Sequence, residues 1–379
     1  MTEKLYYSDA YIREFSASVI SSERVGEKNI TVLDKTAFFP EEGGQSSDTG
    51  YIGEARVLHV YEKCGIIYHE TDREVEGVTV SCRLDFDKRF EKMQCHTAEH
   101  ILCGIIHTRF GLDNVGFHLG DEIVTFDING VLGEADIREL EEEANSAVFG
   151  NLPVRAYFPE KEELESLSYR AKLDLSEGVR VVEIGDIDAC ACCAPHVSFT
   201  GEIGLIKIID FMKHRGGTRI FMVAGRRALL DYRATLDNLK RISAALSVPR
   251  LDAAEGHAAY MRDVANRDYT LKKSATALAS VLAESLPYTD GNLVKYIPDI
   301  GIDELRAFVN AAADRVSGTL VALIGSERDY KYIITSKTEN LSARAKEINL
   351  ALGGRGGGKP ETIQGSFSAS LSEIRDYFK

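Results

Sequence analysis

Two pairs of residues in this 379-residue chain have the types and spacing to hold a metal ion. His96 and His100 stand four apart in His96-Thr97-Ala98-Glu99-His100. On a helix, residues four apart share one face, one turn apart, so both imidazoles can reach one ion. Cys192 and His196, in Cys192-Cys193-Ala194-Pro195-His196, add a thiolate and a third imidazole at the same spacing. Pro195 biases Ala194 away from helix, so this pair suits a loop or turn. Three nitrogens and one sulfur make a tetrahedral set suited to Zn²⁺. Cys190 and Cys193 are rival thiolates, and Cys95 is another beside His96. The matched spacing favours Cys192 without deciding it.

The same residues admit other chemistry. His96-Thr97-Ala98-Glu99-His100 also fits H-x-x-E-H, an inverted zinc-peptidase signature. Glu99 would then be the general base, and Glu177 or Glu183 the third ligand. That reading leaves the cysteine cluster unexplained. A third reading is a non-catalytic RNA-binding protein with a structural zinc. Glu99 is expected to face away from His96 on a regular helix, so its claim to be a base rests on position alone.

The element that must carry the first pair is a helix from Phe90 to about Phe110. Met93, Ile101, Leu102, Ile105 and Ile106 are its apolar residues, and Gly111 is its stop. Before it, residues 1–88 read as short strands and turns: Ile30 to Leu33, Gly50 to Tyr61, Ile66 to His69 and Val78 to Asp85. A small β-barrel is expected there. After it, Phe117 to Ile128 reads as strand and Ile137 to Phe149 as an acidic helix. Val154 to Phe158 and Val179 to Ile187 are strands, with a helix over Glu160 to Tyr169 between them. Ile203 to Asp210 and Thr218 to Ala224 form a hairpin around Arg215-Gly216-Gly217. Helices on a mostly antiparallel sheet define an α+β layer over 89–225.

Residues 226–286 turn helical, with one stripe from Leu229 to Leu246, a break at Pro249 and a second helix from about Ala253 to Leu286. Such a pair serves as a spacer or a dimer seam, and a homodimer through this linker and the C-terminal part is one expectation. Residues 287–379 alternate strand and helix as a small α/β domain. Its mark is Gly353-Gly354-Arg355-Gly356-Gly357-Gly358-Lys359-Pro360, expected as a loop whose Arg355 and Lys359 suit an anion. The P-loop order of Gly-Lys-Ser/Thr is missing.

Composition sets bounds on these readings. Hydrophobic content of 44% and charged content of 27% are ordinary for a soluble globular protein. No run is apolar enough to cross a membrane, and Met1 to Tyr7 has no signal core. Seven cysteines, an odd number, argue for reduced thiols and a cytoplasmic location. A net charge of −14 argues against indiscriminate nucleic-acid binding. Against that background Lys207, Lys213, Arg215, Arg219, Arg226 and Arg227 face a single acid, Asp210, between Leu205 and Arg227. Lys213, Arg215 and Arg219 on the hairpin are candidate RNA contacts.

Taken in order, these segments resemble the editing domain of alanyl-tRNA synthetases, and more closely the free-standing alanyl-tRNA editing proteins of the long AlaX type. Thr36-Ala37-Phe38-Phe39-Pro40-Glu41-Glu42-Gly43-Gly44-Gln45 is similar to the family's Thr-x-Phe-x-Pro-x-x-Gly-Gly-Gln segment, and Asp48-Thr49-Gly50 continues it. The His96/His100 and Cys192/His196 pairs match its zinc motifs. Gly116-Phe117-His118-Leu119-Gly120 matches a segment near the site, and Arg215 to Ile220 a hairpin after the zinc cysteine. The glycine-rich stretch, with Gln364 after it, resembles the C-terminal DHHA1 domain. No Asp-His-His motif occurs, and Cys193-Ala194-Pro195 replaces the Gly-rich residues the family commonly has between Cys and His. The resemblance implies one Zn²⁺ per chain and hydrolysis of tRNA(Ala) mischarged with serine or glycine. It implies Thr36, Gln45 and His118 at the substrate, Thr36 facing the serine hydroxyl. Editing without aminoacylation is expected, since no ATP-binding domain precedes residue 1.

Overall fold

A computed structural model of the protein describes residues 1–171 and 178–379. The architecture is mixed α+β, in two compact units, Met1–Asn238 and Leu239–Lys379.

The first unit opens with a closed barrel. Its strands are β1 (Glu14–Val25), β2 (Lys28–Leu33), β3 (Gly50–Ile52), β4 (Ala55–Lys63), β5 (Ile66–Thr71) and β6 (Thr79–Leu84). They close in the order β1-β2-β5-β4-β3-β6. Alternation puts Ala17, Leu33, Val57, Val60, Ile67 and Val80 inside, as a pleated strand must. The longest strand, β1, was not among the sequence-predicted ones. Its serines dilute the apolar signal, and a register shift between Val19 and Ser21 turns Ile20 out to solvent. A bulge of this kind interrupts the two-residue period.

Helix α1 (Phe86–Phe110) follows and ends on Gly111 in the left-handed region, φ 65°. From Lys92 to Ile106 every residue of it is buried. Arg89, Lys92 and His96 form a row on one face, and each is tied to the segment between the second and third barrel strands. The Arg89 guanidinium donates to Asp48 and, at 2.6 Å, to the Ala37 carbonyl. Lys92 Nζ donates to the carbonyls of Ser46 and Ser47 at 3.1 and 2.7 Å. His96 Nδ1 lies 2.8 Å from Gln45 Oε1.

Two more sheets surround α1. Strands β7 (Asn114–Leu119) and β8 (Val124–Ile128) lead to α2 (Glu134–Phe149). After β9 (Val154–Tyr157) and a short helix, Lys161–Ser166, come β10 (Val181–Ile184) and β11 (Asp188–Ala191), then the hairpin β12 (Ile206–His214) and β13 (Gly217–Ala224). One sheet runs β12-β13-β8-β7 and the other β9-β10-β11, all pairs antiparallel. Ile101, Leu102 and Ile105 of α1 share a core with Phe126, Leu140, Val148 and Ile220. The single predicted strand over 179–187 is thus two strands with a turn at Gly185, φ 48°. That turn sends the chain back past α1, and Gly104 of α1 makes room for it. A Cβ there would lie 2.5 Å from the Ile187 carbonyl.

Helix α3 (Gly225–Leu246) begins in the first unit, and α4 (Ala253–Glu284) belongs to the second. Leu229, Leu230 and Ile242 on α3 and Leu271, Leu278 and Val281 on α4 are exposed. Ala279 and Ala283 join the core of the second unit. Its sheet contains β14 (Leu293–Tyr296), β15 (Thr319–Ser326), β16 (Asp329–Ser336), β17 (Arg355–Lys359) and β18 (Thr362–Phe367), in the order β14-β15-β16-β18-β17. Helices α5 (Ile302–Ala312), α6 (Leu341–Ala351) and α7 (Leu371–Tyr377) complete it. Phe308 of α5 packs on one face of the sheet, and Ile348 of α6 and Ile374 of α7 on the other.

The glycine-rich stretch is therefore not a loop. Arg355–Lys359 is an edge strand, antiparallel to β18. The glycines serve close approach: a Cβ at Gly356 would collide with the Gln364 carbonyl and the Tyr332 hydroxyl. Arg355, Gly357 and Lys359 share one face of this strand by its two-residue period, and both cations are exposed.

Candidate metal centre

The two predicted pairs meet. His96, His100, Cys192 and His196 place their ligand atoms within 4.8 Å of one another. Cys192 Sγ lies 3.7 Å from His96 Nε2 and 3.4 Å from His196 Nε2. For ligand bonds of ~2.0–2.3 Å, tetrahedral neighbours lie roughly 3.3–3.6 Å apart, so these spacings fit one small ion. The three imidazoles are 3–5% exposed, so water does not compete for them freely.

The other nitrogen of every ring is occupied. His96 Nδ1 meets Gln45 Oε1 at 2.8 Å, His196 Nδ1 meets Thr97 Oγ1 at 3.0 Å, and His100 Nδ1 meets Asp188 Oδ2 at 3.0 Å. The Thr97 hydroxyl donates to the Met93 carbonyl at 2.8 Å, so towards His196 it accepts. Asp188, being a carboxylate, also accepts. Each acceptor places the ring proton on Nδ1 and leaves the Nε2 lone pair for a metal. Asp188 is held in turn by Arg170, with bonds of 2.7 and 2.9 Å. Burial opposes its charge, yet His100 and Arg170 keep its carboxyl below the ordinary range.

The thiols separate clearly. Burial works against ionisation at Cys192, but His96 and His196, with His100 bonded to it, hold it well below the usual thiol value. Burial pushes Cys190 and Cys193 up instead. Cys95 turns its sulfur toward the Ala224 carbonyl. Cys190 belongs to a second cluster with His100 and Asp188, on the far side of the His100 ring. Burial lowers His196 to about 3, so this ring is neutral and fit to coordinate. Burial also disfavours charge on His100, but Cys190, Asp188 and Cys192 together raise it well above its usual value.

A cavity of about 280 Å³ opens on this cluster, walled by Phe39, Glu42, Glu99, Asn114, Phe117 and Arg180 among others. Glu99 lines it, contrary to the sequence expectation, because residues three apart on a helix are neighbours rather than opposed. Its carboxylate accepts from the Asn114 amide and, at 3.1 Å, from the Cys103 thiol. Phe117 packs on the His96 ring at 4.8 Å.

Three expected substrate contacts are not on the cavity wall. Thr36 is fully buried in the barrel. Its hydroxyl accepts from Phe38 N–H at 3.1 Å and pairs with His69 Nε2 at 2.9 Å. The other ring nitrogen of His69 faces the Thr31 carbonyl at 3.1 Å and so carries the proton, leaving Nε2 to accept the Thr36 proton. The Thr36 hydroxyl thus donates to His69 and accepts from Phe38. Gln45 stands behind His96 as its orienting partner. His118 neighbours Phe117 in a strand and so points the opposite way, into solvent. Of the two carboxylates the peptidase reading offers as third ligand, one lies among the described residues. Glu183 bonds Tyr157 at 3.0 Å and is outside the cluster, and Glu177 lies outside the described residues. Of the hairpin cations, Lys213 and Arg215 are exposed, while Arg219 forms a bidentate pair with Asp127 at 2.7 and 2.8 Å.

Sequence reading missed Asp188, Arg170, Thr97 and Asn114. Thr97 sat inside the recognised helix motif, and its position beside His96 was the one available signal.

Two family models match the chain. One, tRNA synthetases class II (A), covers residues 2–88. The other, Threonyl and Alanyl tRNA synthetase second additional domain, covers residues 179–220, which include Cys192 and His196. Among relatives, the alanyl-tRNA editing protein AlaX-L of Pyrococcus horikoshii is 28% identical over 99% of this chain and 97% of its own. The alanine–tRNA ligases of Ignicoccus hospitalis and Halorubrum lacusprofundi are each 31% identical, over 94% and 96% of this chain. The chain spans 40% and 42% of those ligases' lengths. A solved C-Ala domain of Aquifex aeolicus alanyl-tRNA synthetase is 19% identical over 23% of this chain and 85% of that one, with a TM-score of 0.21, too loose a likeness to inform the fold. By sequence along its whole length, the chain is similar to the alanyl-tRNA editing protein AlaX-L, and both matching family models are of tRNA synthetase domains.

Proposed function

We propose that the protein hydrolyses the ester of tRNA(Ala) mischarged with serine or glycine, at a centre that His96, His100, Cys192 and His196 build around Zn²⁺. The observation that carries this is the cluster itself: four ligand atoms together, with the Nδ1 of every imidazole held by a partner of its own. Bound there, zinc would polarise the ester carbonyl or lower the pKa of a water. The chain's own groups do the rest. The apolar wall of Phe39 and Phe117 restricts water, Glu99 is the carboxylate placed to take up a proton, and Asn114 holds it in place. Exposed Lys213 and Arg215, and Arg355 and Lys359 on the second unit, are offered to tRNA phosphates; Arg219, paired with Asp127, contributes less. The four-part division at residues 88, 225 and 286, a dimer through the helices and a cytoplasmic location belong to the same proposal. Among the described residues, no helix is long and apolar enough to cross a membrane.

A centre closed by four protein ligands also suits a structural ion, which keeps one other reading in play: RNA binding without turnover. Incubation of the protein with Ser-tRNA(Ala), Ala-tRNA(Ala) and an unstructured peptide separates them. Release of serine alone is expected. Binding without release would favour the structural ion, and peptide cleavage would restore the peptidase.

A further inference from the structure

An aminoacyl ester brings a positive α-ammonium beside the carbonyl that reacts. A cavity of about 280 Å³ walled largely by aromatic and apolar groups takes up such a charge only where an anion meets it. Two carboxylates line the cavity, Glu42 and Glu99, and Glu99 already receives Asn114 and Cys103.

Resting on the deacylase reading above, we propose that Glu42 is the group that receives the substrate's α-ammonium. Glu42 lines both the inner cavity and an outer cleft of about 490 Å³ that also includes Tyr7 and Phe158. It thus stands on the border shared by the cavity and the cleft. Its placement is fixed by a tight turn: Glu42 and Gln45 exchange backbone hydrogen bonds of 3.2 and 3.0 Å. The Gln45 side chain is the one that orients His96. One four-residue turn therefore positions a metal-binding imidazole and an anion together.

The cations near Glu42 have partners elsewhere: Arg180, which also lines the cavity, donates to the carbonyls of Cys192 and Ala194, and Arg170 pairs with Asp188. Lys4 is near, but its Nζ is given to Glu62 at 2.7 Å. Glu42 is an exposed residue, and partial desolvation, then Glu62 and Cys192, push its carboxyl up against the pull of Lys4. An ammonium at the doorway relieves that cost.

The test compares two esters of one tRNA: seryl-tRNA(Ala) and its α-hydroxy analogue, glyceroyl-tRNA(Ala), which keeps the side-chain hydroxyl and lacks the ammonium. kcat/KM is measured for each with spontaneous hydrolysis subtracted. The wild type should prefer the seryl ester by ~10–100-fold, the range of a charged hydrogen bond. Glu42→Gln should lose that preference, its rate on the glyceroyl ester staying within ~3-fold and its zinc content and Tm unchanged. A variant that keeps the wild-type preference, or that loses both esters equally, overturns the assignment. A wild-type protein that hydrolyses neither ester overturns the deacylase reading and this assignment with it.

Discussion

The two units bury different things. Along α1 the first unit buries Arg89, Lys92, Gln94, His96, Thr97, Glu99 and His100, and each finds a partner from another segment or from the helix itself. Among the described residues the second unit buries as polar side chains only Ser243, Glu304, Thr319 and Ser336; its cores are otherwise aliphatic and aromatic. A buried polar group costs free energy unless its partner is present, so the first unit is held by specific pairings. The second is held by shape. Substitutions in the first should abolish a property with the fold intact, whereas those in the second should weaken the fold and leave the chemistry alone.

The sharpest break of this contrast is Cys192→Ala. It should lower metal affinity and turnover by more than ~100-fold, beyond the ~10–100-fold typical of a lost outer partner. Cys193→Ala should retain both. Metal content per chain after dialysis checks this, and the reverse ranking moves the thiolate to Cys193.

Next is a pH effect confined to the barrel. Burial lowers the fully buried His69 from 6.5 to about 4. The unfolded chain takes up this proton near pH 6.5 and the folded chain only near 4. The contribution is thus complete above about 6.5, falls as the pH drops toward 4, and is constant below that. The loss amounts to about 3 kcal/mol. Urea unfolding at pH 7.5 and 4.5 should show it in the wild type, and His69→Gln should remove that part of the slope. An unchanged slope in the variant would mean His69 is already protonated in the fold.

Asp188→Asn should weaken metal affinity by ~10–100-fold, because His100 loses the carboxylate that sets its tautomer. Equal zinc dissociation constants for the two proteins would contradict the role given to Asp188. The smallest effect belongs to the second unit. Gly356→Ala should cost about 1–3 kcal/mol of stability there, through the contact with Tyr332, with metal content untouched. Loss of metal in that variant would erase the contrast between the units.

What was legible in the sequence was local. The four-residue spacings and the helix under His96 and His100 follow from a period that neighbours reveal. The partners of those rings do not: Gln45 lies 51 residues from His96 and Asp188 lies 88 from His100, and no period links them. The partner of Thr36 was hidden in the same way: its hydroxyl bonds His69, 33 residues away. The glycines of β17 read as a loop because their reason, the Tyr332 hydroxyl beneath them, lies on another strand.

The partners on Nδ1 also bear on when an ion would best be taken up. His96 and His100 ride on one helix and can catch an ion before the chain has folded. At that stage nothing prevents either ring nitrogen from binding it. Only when the turn bearing Gln45 and the strand bearing Asp188 have docked is the Nδ1 side of each ring closed. An ion taken early must then change its linkage as the chain folds, whereas an ion taken late meets the finished geometry once. The contacts that occupy Nδ1 thereby also decide which nitrogen of each ring an ion would meet.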